Sequence, residues 1–206
     1  MGVPGWPATV YEGRVGIRPL RMRDAAAWSE LRLRNEAWLA PWDGRPPYGP
    51  EQSWAERSAP AAYGVALRTY RREAKAGRSL PFGVVLDGEL VGQVSVANIV
   101  RGAMQGASVG YWVSQHVAGQ GVMPTALALV VDHCFGPVGL HRVEASIRPE
   151  NAPSLRVVRK LGFRQEGLAE RFLWIDGAWR DHLMFSLTSE DVPDGLLARW
   201  RAMQQA

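Results

Sequence analysis

Apolar and polar residues alternate with two different periods along this chain, and the changes of period divide it into elements. Val15, Ile17 and Leu20 alternate with polar neighbours as in a half-buried strand starting near Arg14, and Asp24 stands where an N-cap would open a helix. Trp28, Leu31, Trp38 and Leu39 share a helical face, so a single helix is predicted from Asp24 until Pro41 stops it. Residues 41–48 read as a loop of the kind that lines clefts. Helical spacing returns over residues 51–57 and 61–75, with Pro60 between the two pieces and Gly77 after them.

Beyond Gly77 the period falls to two. Residues 81–86 and 90–99 are β-rich and meet at Asp87-Gly88, a dipeptide suited to a tight hairpin, and residues 107–113 predict the next strand. Leu127, Val130, Val131 and Cys134 fall at i, i+3, i+4 and i+7 of a helix over 123–135, where Pro124 is tolerated in the first turn. A strand over 140–148, a helix over 153–161, and strands 167–175 and 179–187 about Asp176-Gly177 follow. Leu196, Leu197 and Trp200 at helical spacing make residues 191–206 a terminal helix or tail. The Gly- and Pro-rich residues 1–12 read as a loosely held tail, which leaves one domain over 13–190.

Composition narrows the class. With 206 residues and 47% apolar side chains, the chain suffices for one domain with a sizeable core. The net charge of +4 comes with 22 Arg against 2 Lys, so guanidinium groups are available to anions. They are scattered, however, which argues against sequence-specific nucleic-acid binding. The lone Cys134 cannot form an internal disulfide and reads as a buried thiol, in keeping with a cytoplasmic location. No apolar run is long enough for a bilayer, so no membrane partner is expected, and no pattern of metal ligands stands out.

The chemistry concentrates between Ser108 and Phe163. The strand ending in Gly110-Tyr111-Trp112-Val113 leads through His116-Val117-Ala118-Gly119-Gln120-Gly121 into the helix at 123. Such a turn gathers unpaired backbone N–H groups at the positive end of a helix dipole, where phosphate binds readily. No Gly-Lys-Ser/Thr follows, and Pro124 occupies the place of a dinucleotide fingerprint's third glycine, so both better-known phosphate motifs are disfavoured. By itself the turn is equally compatible with a structural role without a ligand.

The turn 116–121 resembles the pyrophosphate-binding signature of the GNAT superfamily of acetyl-CoA-dependent N-acetyltransferases. Asn151-Ala152-Pro153-Ser154 with Leu161-Gly162-Phe163 resembles that superfamily's next segment. Gly110-Tyr111-Trp112, Leu140-His141-Arg142-Val143-Glu144 and the stretch from Glu166-Gly167 to Asp176-Gly177-Ala178-Trp179-Arg180-Asp181-His182 are similar to the RimJ/RimL branch, the N-terminal acetyltransferases of ribosomal proteins. His116 departs from the Gln or Arg usual in that family.

The resemblance implies an α/β (α+β) GNAT fold, in which helices flank a central mixed, mostly antiparallel sheet with splayed strands. It also implies an acetyl-CoA site formed by Trp112, Val113, Ser114, Ala118, Gly119, Gln120, Gly121, Val122, Asn151 and Ser154. In that site the Val113 N–H would hold the thioester carbonyl, Asn151 the pantetheine amides, and Ser154 would protonate the departing thiolate. Asn151 and Ser154 are also good helix caps.

Glu144 and Glu170 are candidate bases and His182 follows them, each with a solvated or ion-paired alternative. Leu173 occupies the place where some relatives are thought to carry a catalytic glutamate. The implied acceptor is a primary amine, foremost the N-terminal α-amine of a ribosomal or other protein. A small-molecule amine and a non-catalytic acetyl-CoA sensor are the alternatives. Trp28 and Trp38 are assigned to the core, and Trp42 and Trp179, beside turns, to the cleft.

Overall fold

A computed structural model describes residues 4–205. Eight strands form one sheet in the order β1-β2-β3-β4-β5-β6-β8-β7. They are β1 (Val10–Glu12), β2 (Val15–Pro19), β3 (Leu80–Leu86), β4 (Glu89–Val100), β5 (Gly106–Val113), β6 (Arg142–Ile147), β7 (Arg164–Ile175) and β8 (Ala178–Thr188). Every neighbouring pair is antiparallel except β5 and β6. Both predicted two-residue hairpins form. Asp87 and Gly88 have φ of 52° and 88°, and Asp176 and Gly177 have 50° and 72°, the doubly positive geometry that matches strand twist.

One face of the sheet is covered by α5 (Val122–Phe135), which is buried almost all round and carries Leu127, Val130, Val131 and Cys134 into the main core. Burial pushes the Cys134 thiol up to about 12, which makes it inert. The helix α7 (Leu196–Gln205) docks on α5. The Asp132 carboxylate accepts from the N–H groups of Leu196 (2.6 Å) and Leu197 (3.0 Å), and Trp200 Nε1 donates to Thr125 Oγ1 (2.8 Å). The opposite face carries α1 (Ala25–Arg34) and α4 (Pro60–Lys75), which bury Trp28, Leu31, Tyr63 and Leu67 in a second cluster with Leu20 and Leu90. Among the described residues no helix is long and apolar enough to cross a membrane.

Four expectations are corrected, the last of them at Pro60. Residues 10–12, assigned to a loose tail, form β1 and pair with β2; upstream, Trp6 packs edge-on against Phe82 and the Gly5 carbonyl lies 2.5 Å from His133 Nε2. The first three residues of that expected tail lie outside the described residues, as does Ala206. The predicted first helix is two, α1 and the single turn α2 (Glu36–Leu39), because the Asn35 side chain donates to the Leu31 carbonyl (2.7 Å) and its backbone leaves the helical region at φ −107°, ψ 25°. Asp24 opens the helix without capping it through its side chain. Its carboxylate instead takes two bonds from the buried Arg18 guanidinium, at 2.7 and 2.8 Å.

Pro60 does not separate two helices as a spacer but occupies the first position of α4, where its missing N–H costs nothing. Ahead of it, α3 (Trp54–Ser58) is opened by Ser53 and Glu56, which cap each other's backbone.

Candidate active site

The site exists because β5 and β6 separate. They pair in parallel at Gly106–Arg142, Ala107–Val143 and Ser108–Glu144. Beyond these positions Val109 to Val113 pair with β4, and Ala145 to Ile147 pair with β8. The wedge between them exposes backbone groups. Ser114 N donates to Val91 O on β4 (2.8 Å), so by strand alternation Trp112 also faces β4 and Val113 faces the wedge. Consistent with this, the Val113 carbonyl receives Trp38 Nε1 from α2 at 3.0 Å.

Two cavities share this wedge. The first, about 240 Å³, is lined by Trp112, Val113, Ala118, Gly119, Gly121, Val122, Asn151 and Ser154, with Arg32, Trp38, Trp42, Asp43, Tyr111, Arg156 and Lys160 among the rest. The second, about 200 Å³, is lined by Gly44, Gly110, Ser146, Arg148, Leu173, Ile175 and His182 among others. Trp42, Tyr111, Asn151 and Ser154 belong to both linings, so the two spaces meet at these four residues.

At the first cavity, Gly119 and Gly121 have φ of 82° and 80°, which a β-carbon would make costly. They turn the chain into α5, whose first-turn N–H groups have no partner within the helix. Asn35 holds this turn from below. Its amide nitrogen donates to Ser114 Oγ (2.8 Å) and its amide oxygen accepts from Gln115 N (2.8 Å), while Ser114 Oγ also contacts His116 Nδ1 (2.7 Å). Ser114 is fully buried and Gln120 donates to the His116 carbonyl (2.9 Å), so these two side chains brace the turn and do not line the cavity. Nothing in the sequence links Asn35 to a turn 79 positions away.

Asn151 and Ser154 sit at the start of α6 (Ala152–Lys160). Asn151 is the cap residue, its Oδ1 accepting from Ser154 N at 3.2 Å. Ser154, the third helical residue, has no cap to serve, and its Oγ has no hydrogen-bond partner among the described residues. Tyr111 donates to the Ser154 carbonyl (3.1 Å), and burial raises the Tyr111 pKa far above its ordinary value.

Glu144 and Glu170 line neither cavity. Glu144 accepts from Arg142 Nε at 2.7 Å, and Glu170 is exposed on the edge strand β7. Asp43, at the first cavity, is held by Arg32 (3.1 Å) and Arg57. Trp28 lies in the core as expected, whereas Trp38 lines the cleft, contrary to its core assignment. Trp42 lines both cavities; Trp179 is half exposed, edge-on to Trp174, and lines neither.

Residues 14–164 match the model of the acetyltransferase (GNAT) domain. The fold is closely similar to a structure of Mycobacterium smegmatis RimJ in complex with CoA-disulfide, at 45% identity over 99% of this chain and 98% of that one, with a TM-score of 0.92. A ribosomal-protein-S5-alanine acetyltransferase from Vibrio fischeri gives a TM-score of 0.78 at 28% identity, over 89% and 98% of the two chains. In sequence, the [ribosomal protein uS5]-alanine N-acetyltransferase of Escherichia coli is 30% identical over 184 residues, 88% of this chain and 91% of that protein. With the glycine turn, the splayed strands and the α6 cap all in one wedge, the chain belongs to the GNAT acetyltransferase family and is an acetyl-CoA-dependent N-acetyltransferase.

Proposed function

We propose that this enzyme transfers the acetyl group to the α-amine at the N-terminus of a protein, foremost a ribosomal protein acting as acceptor in the cytoplasm. The observation that carries this reading is the meeting of two cavities at Trp42, Tyr111, Asn151 and Ser154. One cavity has the glycine turn and the cationic Arg156 and Lys160, suited to a pyrophosphate-bearing donor. The other is slightly smaller and partly apolar, with Leu173 and Ile175, suited to a short chain end with a small first side chain. The names of the Escherichia coli and Vibrio fischeri relatives, both alanine acetyltransferases, favour the same acceptor class.

Donor and acceptor would meet in a ternary complex. The wedge-facing N–H of Val113 polarises the thioester carbonyl and stabilises the oxyanion formed on attack. The unengaged hydroxyl of Ser154 protonates the departing sulfur, and the Asn151 amide nitrogen, which has no hydrogen-bond partner among the described residues, holds the pantetheine arm. Neither Glu144 nor Glu170 is given a part, since both lie away from the wedge.

Free-thiol release from acetyl-CoA tests this reading, using peptides that begin with Ala, Ser or Gly, the same peptides blocked at the α-amine, and a panel of small amines. Release that depends on a free peptide α-amine is expected. Release with small amines and none with peptides would overturn the acceptor assignment.

A further inference from the structure

The second cavity contains three titratable side chains, and two of them are unsuited to take a proton. Arg148 is a donor-only guanidinium with no acceptor atom to offer, and it donates to the Pro41 carbonyl (2.9 Å) and to Glu150 (3.2 Å). Tyr111 is locked to the Ser154 carbonyl and its pKa is raised by burial. The third is His182, on β8, with 2% of its surface exposed.

Its Nδ1 lies 2.9 Å from the Arg180 carbonyl, a group that can only accept, so Nδ1 carries the proton in the neutral ring. Nε2 is left with a lone pair and has no partner among the described residues. Phe172 from β7 packs against the ring in a T-shaped arrangement, with 5.8 Å between centroids and 70° between planes. The alternative to a base role, a pairing of His182 with a carboxylate, is replaced here by a backbone carbonyl that sets the tautomer.

We propose that His182 Nε2 is the proton acceptor for the acceptor's α-ammonium, an inference that rests on the acceptor reading above. An N-terminal amine, with a pKa near ~8, is mostly protonated at neutral pH and cannot attack until it loses a proton. Nε2 takes that proton, and the freed nitrogen lone pair forms the C–N bond to the thioester carbon. The C–S bond breaks with its electron pair on sulfur, which takes a proton from Ser154 Oγ. The hydroxyl is restored by the second proton of the new amide nitrogen, and the imidazolium returns its proton to solvent. One proton is released for each acetyl group transferred.

Burial, the largest influence, lowers the His182 pKa, and the charge of Arg148 lowers it further; the Arg180 carbonyl, Asp181 and Glu150 act in the opposite direction. Those are the charged and polar groups that act on the ring, from its own strand and from the residues just after β6, and Phe172 on β7 adds none. The ring is therefore neutral and able to accept at pH 7.

His182→Asn tests the assignment, because an asparagine amide nitrogen takes the place of Nδ1 and keeps a donor for the Arg180 carbonyl while Nε2 is lost. With a peptide the wild type acetylates, kcat/KM for the variant should fall by about 100-fold at pH 6.5 and by less than about tenfold at pH 9, where the free amine is already neutral. Acetyl-CoA affinity should remain within about twofold, which also reports that the variant is folded. A loss of equal size at every pH, or no loss, would overturn the role of His182 alone. A wild type that acetylates no peptide would remove the acceptor assignment, and this inference with it.

Discussion

Asn35 and Ser114 are joined by a hydrogen bond of 2.8 Å, and through it the end of α1 is fastened to the glycine turn beside the first cavity. The same side chain accepts from Gln115 N, so one residue fixes two consecutive positions of the turn. The bond is buried, and its loss leaves Ser114 Oγ with His116 as partner. Asn35→Ala should lower stability by about 2 kcal/mol and weaken acetyl-CoA binding by about five- to tenfold, since each such bond contributes about 1 kcal/mol. Calorimetric titration alongside thermal melting checks both. An unchanged affinity would show that the turn holds its shape without Asn35.

Ser154 offers a separation of chemistry from binding. Its Oγ carries no structural bond and the helix cap belongs to Asn151, so Ser154→Ala should melt as the wild type does. Turnover should fall by about 100-fold, within the usual range for losing a proton donor, with acetyl-CoA affinity nearly intact. Unchanged turnover would remove Ser154 from the mechanism.

Gly110 lines the second cavity, the one proposed to take the acceptor, and a β-carbon built there meets no atom within 4 Å. A larger side chain can therefore enter the cavity without disturbing the strand. Gly110→Leu should raise KM for the peptide by about tenfold or more while leaving the affinity for acetyl-CoA unaltered. Equal losses for both substrates would mean that the two cavities are not functionally distinct.

Glu166 supplies a stability that depends on pH. Arg142, and then Ser186 Oγ (2.5 Å), hold its pKa at about 2, below the ordinary 4.5. A carboxylate depressed on folding stabilises the folded state above its unfolded pKa, and that contribution fades as the pH falls toward the folded value. Glu166→Gln should therefore melt below the wild type at pH 7, and the gap should close between pH 4.5 and about 2. Melting curves across that window decide it; a gap that stays constant would assign the effect to packing, not charge. The pair is partly solvated, so the gap is expected to be modest.

Much of the frame is legible in the chain because local rules decide it. Asp87-Gly88 and Asp176-Gly177 admit only a tight turn between β-rich runs, and the apolar spacing of Leu127 to Cys134 admits only a buried helix. The lining of the first cavity is legible for the same reason, since the glycine turn and the cap at Asn151 are contiguous segments. What escaped depends on contacts made across the fold. Asn35 breaks a helix in order to reach Ser114, and Trp38 reaches the Val113 carbonyl.

His182 gains its character from burial and from a carbonyl, neither of which a sequence pattern displays. Glu144 and Glu170 are candidates in the sequence as carboxylates near the expected cleft, but strand register sends Glu144 to Arg142 and leaves Glu170 in solvent. Residues 10–12 read as a tail because three residues are too few to show a period of two; pairing with β2 makes them a strand.

The acceptor proposed for this enzyme is a protein N-terminus. Mass spectrometry of protein N-termini from cells with and without this enzyme tests it most directly. At least one N-terminus, with a small first residue, is expected to be acetylated only when the enzyme is present. An unchanged set of N-termini, with acetyl groups instead appearing on a small amine, would contradict it.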